Sequence, residues 1–247
     1  EVAGRYGTDH EEVVLEAKAA DILEKLVWHF SEPFADASMI PTYYVSEIAR
    51  RRVTVALNGD GGDEAFLGYP RYDTVRRLAA DIDPAAGRQG LARDSERYAF
   101  TVVSMSDDQK SSGYGDKMRG FLDRSSLDLL DPYFDQSPDF VSGANWADTH
   151  VYLPGDLLPK VDIASMAVSL EPRSPLLDHV LLEWAYSLPA DVKAPGGVAK
   201  GLFKKAMEPY LSRDLLYRPK MGFGCPIDHW LRTDLKEMAY DVLLSDR

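Results

Sequence analysis

Asp60, Asp63 and Glu64 crowd into one short stretch that also carries Gly59, Gly61 and Gly62. Like charges this close repel, so something must reconcile them. A glycine loop ordinarily holds phosphate on its backbone N–H groups, and carboxylates in that loop argue against direct phosphate contact. Two guests resolve the conflict. One is Mg²⁺, which takes one or two carboxylates and completes its shell with water and phosphate oxygens; the other is the ammonium group of a substrate. The bland alternative is an acidic turn open to water. The basic residues that stand out elsewhere are Lys200 in GVAKGLFKKAM, with Lys204 and Lys205 beside it, and Arg218 and Lys220 in RPKMGFG. The histidines show no paired zinc-ligand spacing, and the lone Cys225 has no visible base partner.

The elements that must position these groups can be read from periodicity. The apolar run Val53–Leu57 ahead of the acidic loop predicts a buried strand of a parallel sheet, with Ala65, Phe66 and Leu67 beginning a helical turn after it. Upstream, Glu1–Tyr6 reads as a helix end stopped by Gly7, Glu12–Leu15 as a short strand and Ala17–Phe30 as a helix. Thr42–Arg51 reads as a second helix with Pro41 in its first turn. Downstream, Asp81–Gly90 reads as a connector, Ser104–Gly120 as a surface excursion and Asp131–Asn145 as loop-rich. Helices are expected over Leu157–Leu170 with Asp156 as N-cap, Leu177–Leu188, Ala199–Leu211 and Ile227–Leu244. Strand, loop and helix in this order give an α/β class with a largely helical C-terminal half.

Composition narrows the function. The 247 residues are 45% apolar, ordinary for a globular chain, and 40 acidic against 28 basic side chains give a net charge of −12. That balance argues against a nucleic-acid groove. No apolar run approaches the roughly 20 residues of a membrane helix. A single cysteine excludes an internal disulfide framework and fits a reducing, cytoplasmic compartment. The chain starts at Glu1 with no signal-peptide pattern, and the reading is of a piece beginning inside a domain.

NGDGGDEAFLGY resembles the acidic loop of the synthetase domain of glutamine-dependent asparagine synthetases, SG-D/E-G-x-DE-x-F-x-GY. GRYGTDHEEV, EPFADASMIPTYYVSEIARRRVTVAL, YLPGDLLPKVDIASMAVSLEPRSPLLDH and RPKMGFGCPIDHWLR resemble further segments of that family, in the family order. The resemblance implies a single partial synthetase domain over residues 1–247, with an incomplete parallel sheet of the PP-loop ATP pyrophosphatase type. It implies ATP and Mg²⁺ as cofactors. Aspartate and glutamine-derived ammonia would be the substrates, with a glutaminase domain in the full-length chain; a homodimer is compatible with it. Residue by residue, it implies a catalytic role for Asp60 near the attacking amine and for Lys200 at the α-phosphate and departing pyrophosphate. Asp63 would take the metal. Asn58 and Gly59 would touch the adenylate, with Asn standing where the family has Ser. Glu64 and Tyr69 would lie near the substrate, and Arg218 and Lys220 over phosphates. Arg173 and Asp178 read as a structural ion pair.

Two family features are absent from the sequence: the SGGxDS pyrophosphate loop and the glutaminase domain with its N-terminal Cys. The expectation is therefore that this piece alone does not make asparagine. Three rivals stay open. The same chemistry on another substrate, as in a β-lactam-synthetase relative, is disfavoured by Asp60, where such enzymes tend to carry Tyr. A non-catalytic helical binding module is the second, and a tRNA-modifying adenylase, disfavoured by acidity, is the third.

Overall fold

The computed structural model describes residues 1–14, 19–80, 93–103, 105–219 and 224–245. Contacts divide the chain into two compact units. One comprises Glu1–Asn58, Asp156–Pro175 and Glu208–Arg247; the other comprises Gly59–Gly155 and Leu176–Met207. The class is α/β, mostly helical, with one two-stranded sheet among the described residues.

In the first unit, helix Val2–Tyr6 stops at Gly7 in the left-handed conformation (φ 59°), as its sequence predicts. The strand expected over Glu12–Leu15 is not formed at Glu12–Val14, and Leu15 lies outside the described residues. Val14 is exposed, so this short apolar run has no hydrophobic reason to join a sheet. Helix Ala19–Phe30 buries Ala19, Ile22, Leu26 and Phe30, one face at a spacing of three to four. Helix Met39–Arg50 carries Pro41 in its first turn, where a missing N–H breaks no helical bond. Ile40 and Tyr43 from this helix join Leu26, Ala164, Trp230 and Leu235 in one core. Lys160 closes a largely buried ion pair with Asp36 at 2.8 Å. Burial raises the pKa of that carboxyl, but Lys160 and Ser38 donate to it and hold it below its usual value.

The strand expected before the acidic loop is present as β1, Val55–Leu57. It pairs in parallel with β2, Glu171–Arg173, in the register Val55↔Glu171 and Leu57↔Arg173. The expectation that it is buried is corrected, because Val55 is half open and Leu57 is 74% exposed. A parallel strand is buried when layers cover both faces and strands flank both edges; among the described residues β1 has β2 as its one strand neighbour. Helix Leu158–Met166 follows a π-helical segment, Asp148–Leu157, so Asp156 sits within helical backbone and does not cap. The helix expected over Ile227–Leu244 breaks at Thr233 into Ile227–Arg232 and Lys236–Leu244.

In the second unit, Tyr72, Val75, Tyr98, Phe134, Phe140 and Ala144 form the centre of the core. The passage Asp131–Asn145, expected as loop, is mostly helix: Asp131–Asp135 and Phe140–Ala147, the latter capped by Asp139 accepting from the Ser142 N–H at 3.0 Å. Gly143 lies inside the second of these helices and serves packing. A Cβ there would stand 2.6 Å from Phe134 Cδ1 and 2.8 Å from Ser137 Oγ. The excursion over Ser104–Gly120 contains helix Asp107–Gly113, whose residues are all at least partly exposed, with a capping box between Ser106 and Gln109. The connector over Asp81–Gly90 and residue 104 lie outside the described residues. Helix His179–Ser187 is capped by Asp178, which accepts from the Val180 and Leu181 N–H groups. Arg173 pairs instead with Glu171 at 2.9 Å, so the Arg173–Asp178 reading gives way to two local roles. Gly143→Ala is expected to lower stability by about 1–3 kcal/mol through overpacking against Phe134, read as a reduced urea midpoint with an unchanged slope.

Candidate functional site

The acidic loop turns sharply because Gly61 takes φ 87° and packs against Leu177, whose side chain a Cβ would overlap. Asp60 stands half-buried at that turn. The helical turn expected from Ala65 begins earlier: Gly62–Ala65 is a four-residue helix that puts Asp63 and Glu64 in its first turn, where the helix dipole favours carboxylates. The chain then reverses at Leu67, a non-glycine residue with φ 53°. Gly68 follows, its N–H donating to Asp63 O at 2.8 Å.

Lys200 reaches the same place from the other side of the unit's sequence. Its Nζ lies 3.2 Å from Asp63 Oδ2, and both side chains are about three-quarters covered. The expectation that Lys200 rides on a helix is corrected. It precedes helix Gly201–Met207 with a left-handed backbone, φ 55°. Its N–H donates to Phe66 O at 3.2 Å, and Phe66 stacks on Phe203 with ring centroids 5.0 Å apart. Lys204 and Lys205 lie within that helix. Gly68 has no room for a side chain, because a Cβ there would overlap both Asp63 Oδ1 and Lys200 Cε. Left-handed backbone at non-glycine residues costs on the order of 1–2 kcal/mol each, and such strain concentrates at functional sites.

Glu64 has a different fate. It is 1% exposed and its carboxylate accepts a hydrogen bond from the Tyr69 hydroxyl. Burial pushes its carboxyl above the usual range, the Tyr69 bond opposes this, and the charges of Asp63 and Asp148 add to it. The Glu64 side chain is thus an enclosed carboxyl. The Arg71 guanidinium lies over the Tyr69 ring at 4.0 Å and over the Tyr152 ring at 4.5 Å.

Beneath the acidic helix lies a polar group that sequence reasoning missed. Asp148, fully buried, accepts from Arg71 Nη2 at 2.6 Å, from the Tyr72 hydroxyl at 2.6 Å and from Tyr98. Asn145 Nδ2 donates to Glu64 O at 2.7 Å and to the Tyr72 hydroxyl at 3.1 Å, while its Oδ1 accepts from Lys193 Nζ at 2.7 Å. Lys193 is 4% exposed and lies 5.3 Å from the Tyr186 ring centroid. Burial depresses its pKa to about 8, with only the charge of Asp139 acting the other way. The available signal was Asn145 and Asp148 three residues apart in the largely apolar run FVSGANWADTHVYL.

The remaining predicted residues have surroundings of their own. Asn58 and Arg218 belong to the first unit. Asn58 Oδ1 accepts from the Ser174 hydroxyl, and its N–H donates to Arg173 O at 2.9 Å. Gly59 and Arg218 are exposed. Lys220 lies outside the described residues. No three Asp, Glu, His or Cys side chains converge into a metal cage among the described residues. Asp60 and Asp63 are the partly exposed carboxylates of the loop, whereas Glu64 is enclosed.

Gly68→Ala should dislodge the Asp63–Lys200 pair, seen as displaced side chains in a crystal structure and a stability loss of about 1–3 kcal/mol. Lys193 supplies a pH signature. In the folded chain it loses its proton near pH 8, while the unfolded chain keeps it to about 10.5. Between those values the unfolded state binds more protons, so stability rises with pH. Urea unfolding across this window should show that rise in the natural protein and a smaller one in Lys193→Met.

Residues 1–247 match the family model described as asparagine synthase. The chain is 30% identical over 271 residues to a protein of Bacillus subtilis named asparagine synthetase [glutamine-hydrolyzing] 1, covering 98% of this chain and 42% of that protein. It is 33% identical over 247 residues to a putative asparagine synthetase [glutamine-hydrolyzing] of Mycobacterium tuberculosis, covering 91% of this chain and 38% of the relative. The chain thus spans about two fifths of the length of these relatives. A match over its whole length, together with these relatives, places the chain in the asparagine synthase family.

Proposed function

We propose that this chain is part of an ATP-dependent amide ligase that activates the side-chain carboxylate of aspartate as an adenylate and transfers ammonia to it. The observation that carries the reading is the Lys200–Asp63 contact at 3.2 Å, a cation and a carboxylate held together at a strained glycine turn. In the full reaction a carboxylate oxygen attacks the α-phosphorus of ATP, the bond to pyrophosphate breaks, and ammonia then displaces AMP to give asparagine. Lys200 would offset charge growing on the α-phosphate and on pyrophosphate as it leaves. Asp60 would orient the attacking ammonia and take up a proton as the amide forms. Mg²⁺, when bound, would neutralise phosphate charge, with Asp63 as the protein carboxylate that fits it. Glu64 and the partly exposed Tyr69 would lie near the substrate, joined by their hydrogen bond. Asn58 and Gly59 would face the adenylate, and Arg218 and Lys220 the phosphates.

The wider reading is a single partial synthetase domain with a sheet of the PP-loop type. Exposed Val53, Val55 and Leu57 support it, since a hydrophobic strand this open is suited to further sheet or helix packing. Ammonia would come from a glutaminase domain in the full-length chain. Among the described residues no helix is long and apolar enough to cross a membrane; a cytoplasmic site of action is part of the proposal. In the full-length protein, Asp60→Asn and Lys200→Ala are each expected to lower aspartate-dependent amide formation by on the order of 10²–10³-fold, with the circular dichroism spectrum unchanged. Lys200→Ala should lower ATP–pyrophosphate exchange as well. Natural rates in both variants would overturn the assignment.

A further inference from the structure

The helix that carries Asp63 and Glu64 is only four residues long, and a helix this short cannot satisfy its own carbonyls. Gly68 N–H, which stands four residues after Glu64, is taken by Asp63 O. Glu64 O is served from outside, by Asn145 Nδ2 at 2.7 Å, a bond spanning 81 residues of sequence. While protonated, Lys193 has only donors, so its bond at 2.7 Å fixes Asn145 Oδ1 as the acceptor and turns the amide N–H₂ toward Glu64 and Tyr72. Tyr72 passes the constraint to the fully buried Asp148, which Arg71 also holds. Asn145 needs to be an amide: it must accept from a cation on one side and donate to a carbonyl on the other. Asp could do the first only, and Leu neither.

We infer that Asn145, oriented by Lys193, is a positioning residue that sets the acidic helix and hence the placement of Asp63 opposite Lys200. The inference rests on the proposed ligase reading for its activity readout but not for its structural one. Asn145 touches no reacting atom in this account; it acts through the Glu64 main chain.

The test uses the full-length protein and two variants, Asn145→Asp and the double variant Asn145→Leu with Lys193→Met. The first keeps a partner for Lys193 and removes the donor to Glu64 O. The second replaces the polar pair by apolar side chains of similar size. Amide hydrogen exchange over residues 62–68 and aspartate-dependent ATP–pyrophosphate exchange are followed alongside thermal unfolding. A folded variant should show faster amide exchange confined to 62–68. It should also show a kcat lower by on the order of 100-fold, the scale of a displacement of about 1 Å, with KM for ATP changed by less than about threefold. A folded variant with natural amide exchange and natural kcat overturns the inference. Unfolding of both variants also overturns it, by assigning Asn145 to stability alone. If the natural protein shows no pyrophosphate exchange, the ligase reading fails, and the amide-exchange comparison still decides whether Asn145 holds the helix.

Discussion

The contact between Lys200 and Asp63 is the constraint around which the second unit is arranged. Asp63 rides on a single helical turn, and the backbone around it leaves ordinary secondary structure. Lys200 precedes its helix in a left-handed conformation, and Leu67, which ends the acidic turn, is left-handed too. The two segments are stitched by the Lys200 N–H on Phe66 O and by the Phe66–Phe203 stack. Gly68 leaves the space that both side chains occupy. Two unfavourable backbones are tolerated because the surrounding core over-determines them: Ala65, Phe66 and Leu67 are all buried. The ammonium and carboxylate meet as a consequence of backbone geometry, which makes their separation less dependent on side-chain rotamers.

The crowded carboxylates are reconciled in a way the sequence did not suggest. A divalent ion between them was one expected solution. The three side chains also differ in their surroundings. Glu64 is turned into the core and shares its carboxylate with Tyr69, Asp63 is met by a lysine, and Asp60 stays at the turn. Each solution has its own physics. Burial raises the pKa of the enclosed carboxyl, whereas the Asp63–Lys200 pair is partly exposed and can be reached by a phosphate or a metal. One short stretch therefore holds a carboxyl used for packing beside a carboxylate suited to chemistry, and residue type alone does not distinguish them.

Legibility in the sequence followed the range of the forces involved. Local signals were readable: the Gly7 stop, Pro41 in a first turn, and a short parallel strand ahead of a glycine turn. The resemblance of ordered segments also pointed to the family that the whole-length match supports. Burial was not readable, because Val55 and Leu57 have the composition of a covered strand and their exposure depends on which neighbours they have. Gly143 reads as a turn residue and is a contact point for Phe134. Asp156 has the chemistry of a cap, but the backbone there is already helical, through a π-helical segment that contains Pro154. Lys200 and the acidic loop were legible as residue types; their pairing across more than a hundred residues was visible only in three dimensions.

The buried polar hub shows why those long-range pairings matter more here than intrinsic helix strength. A four-residue helix has negligible stability of its own, since helix nucleation fixes several residues for a single hydrogen bond. Its geometry must be inherited from longer elements. The helix Phe140–Ala147 supplies Asn145, and Asp148 follows directly after its last turn. Replacing such a hub by apolar side chains often leaves stability unchanged or improved, because desolvating ions is costly. The role of the hub around Asp148 and Lys193 is then better explained by direction than by energy. Apolar packing fixes how close two segments lie, whereas a hydrogen bond with a defined donor and acceptor also fixes which way a carbonyl points. For a carboxylate that must face one ammonium across 3.2 Å, that direction is the quantity a hydrophobic core cannot supply.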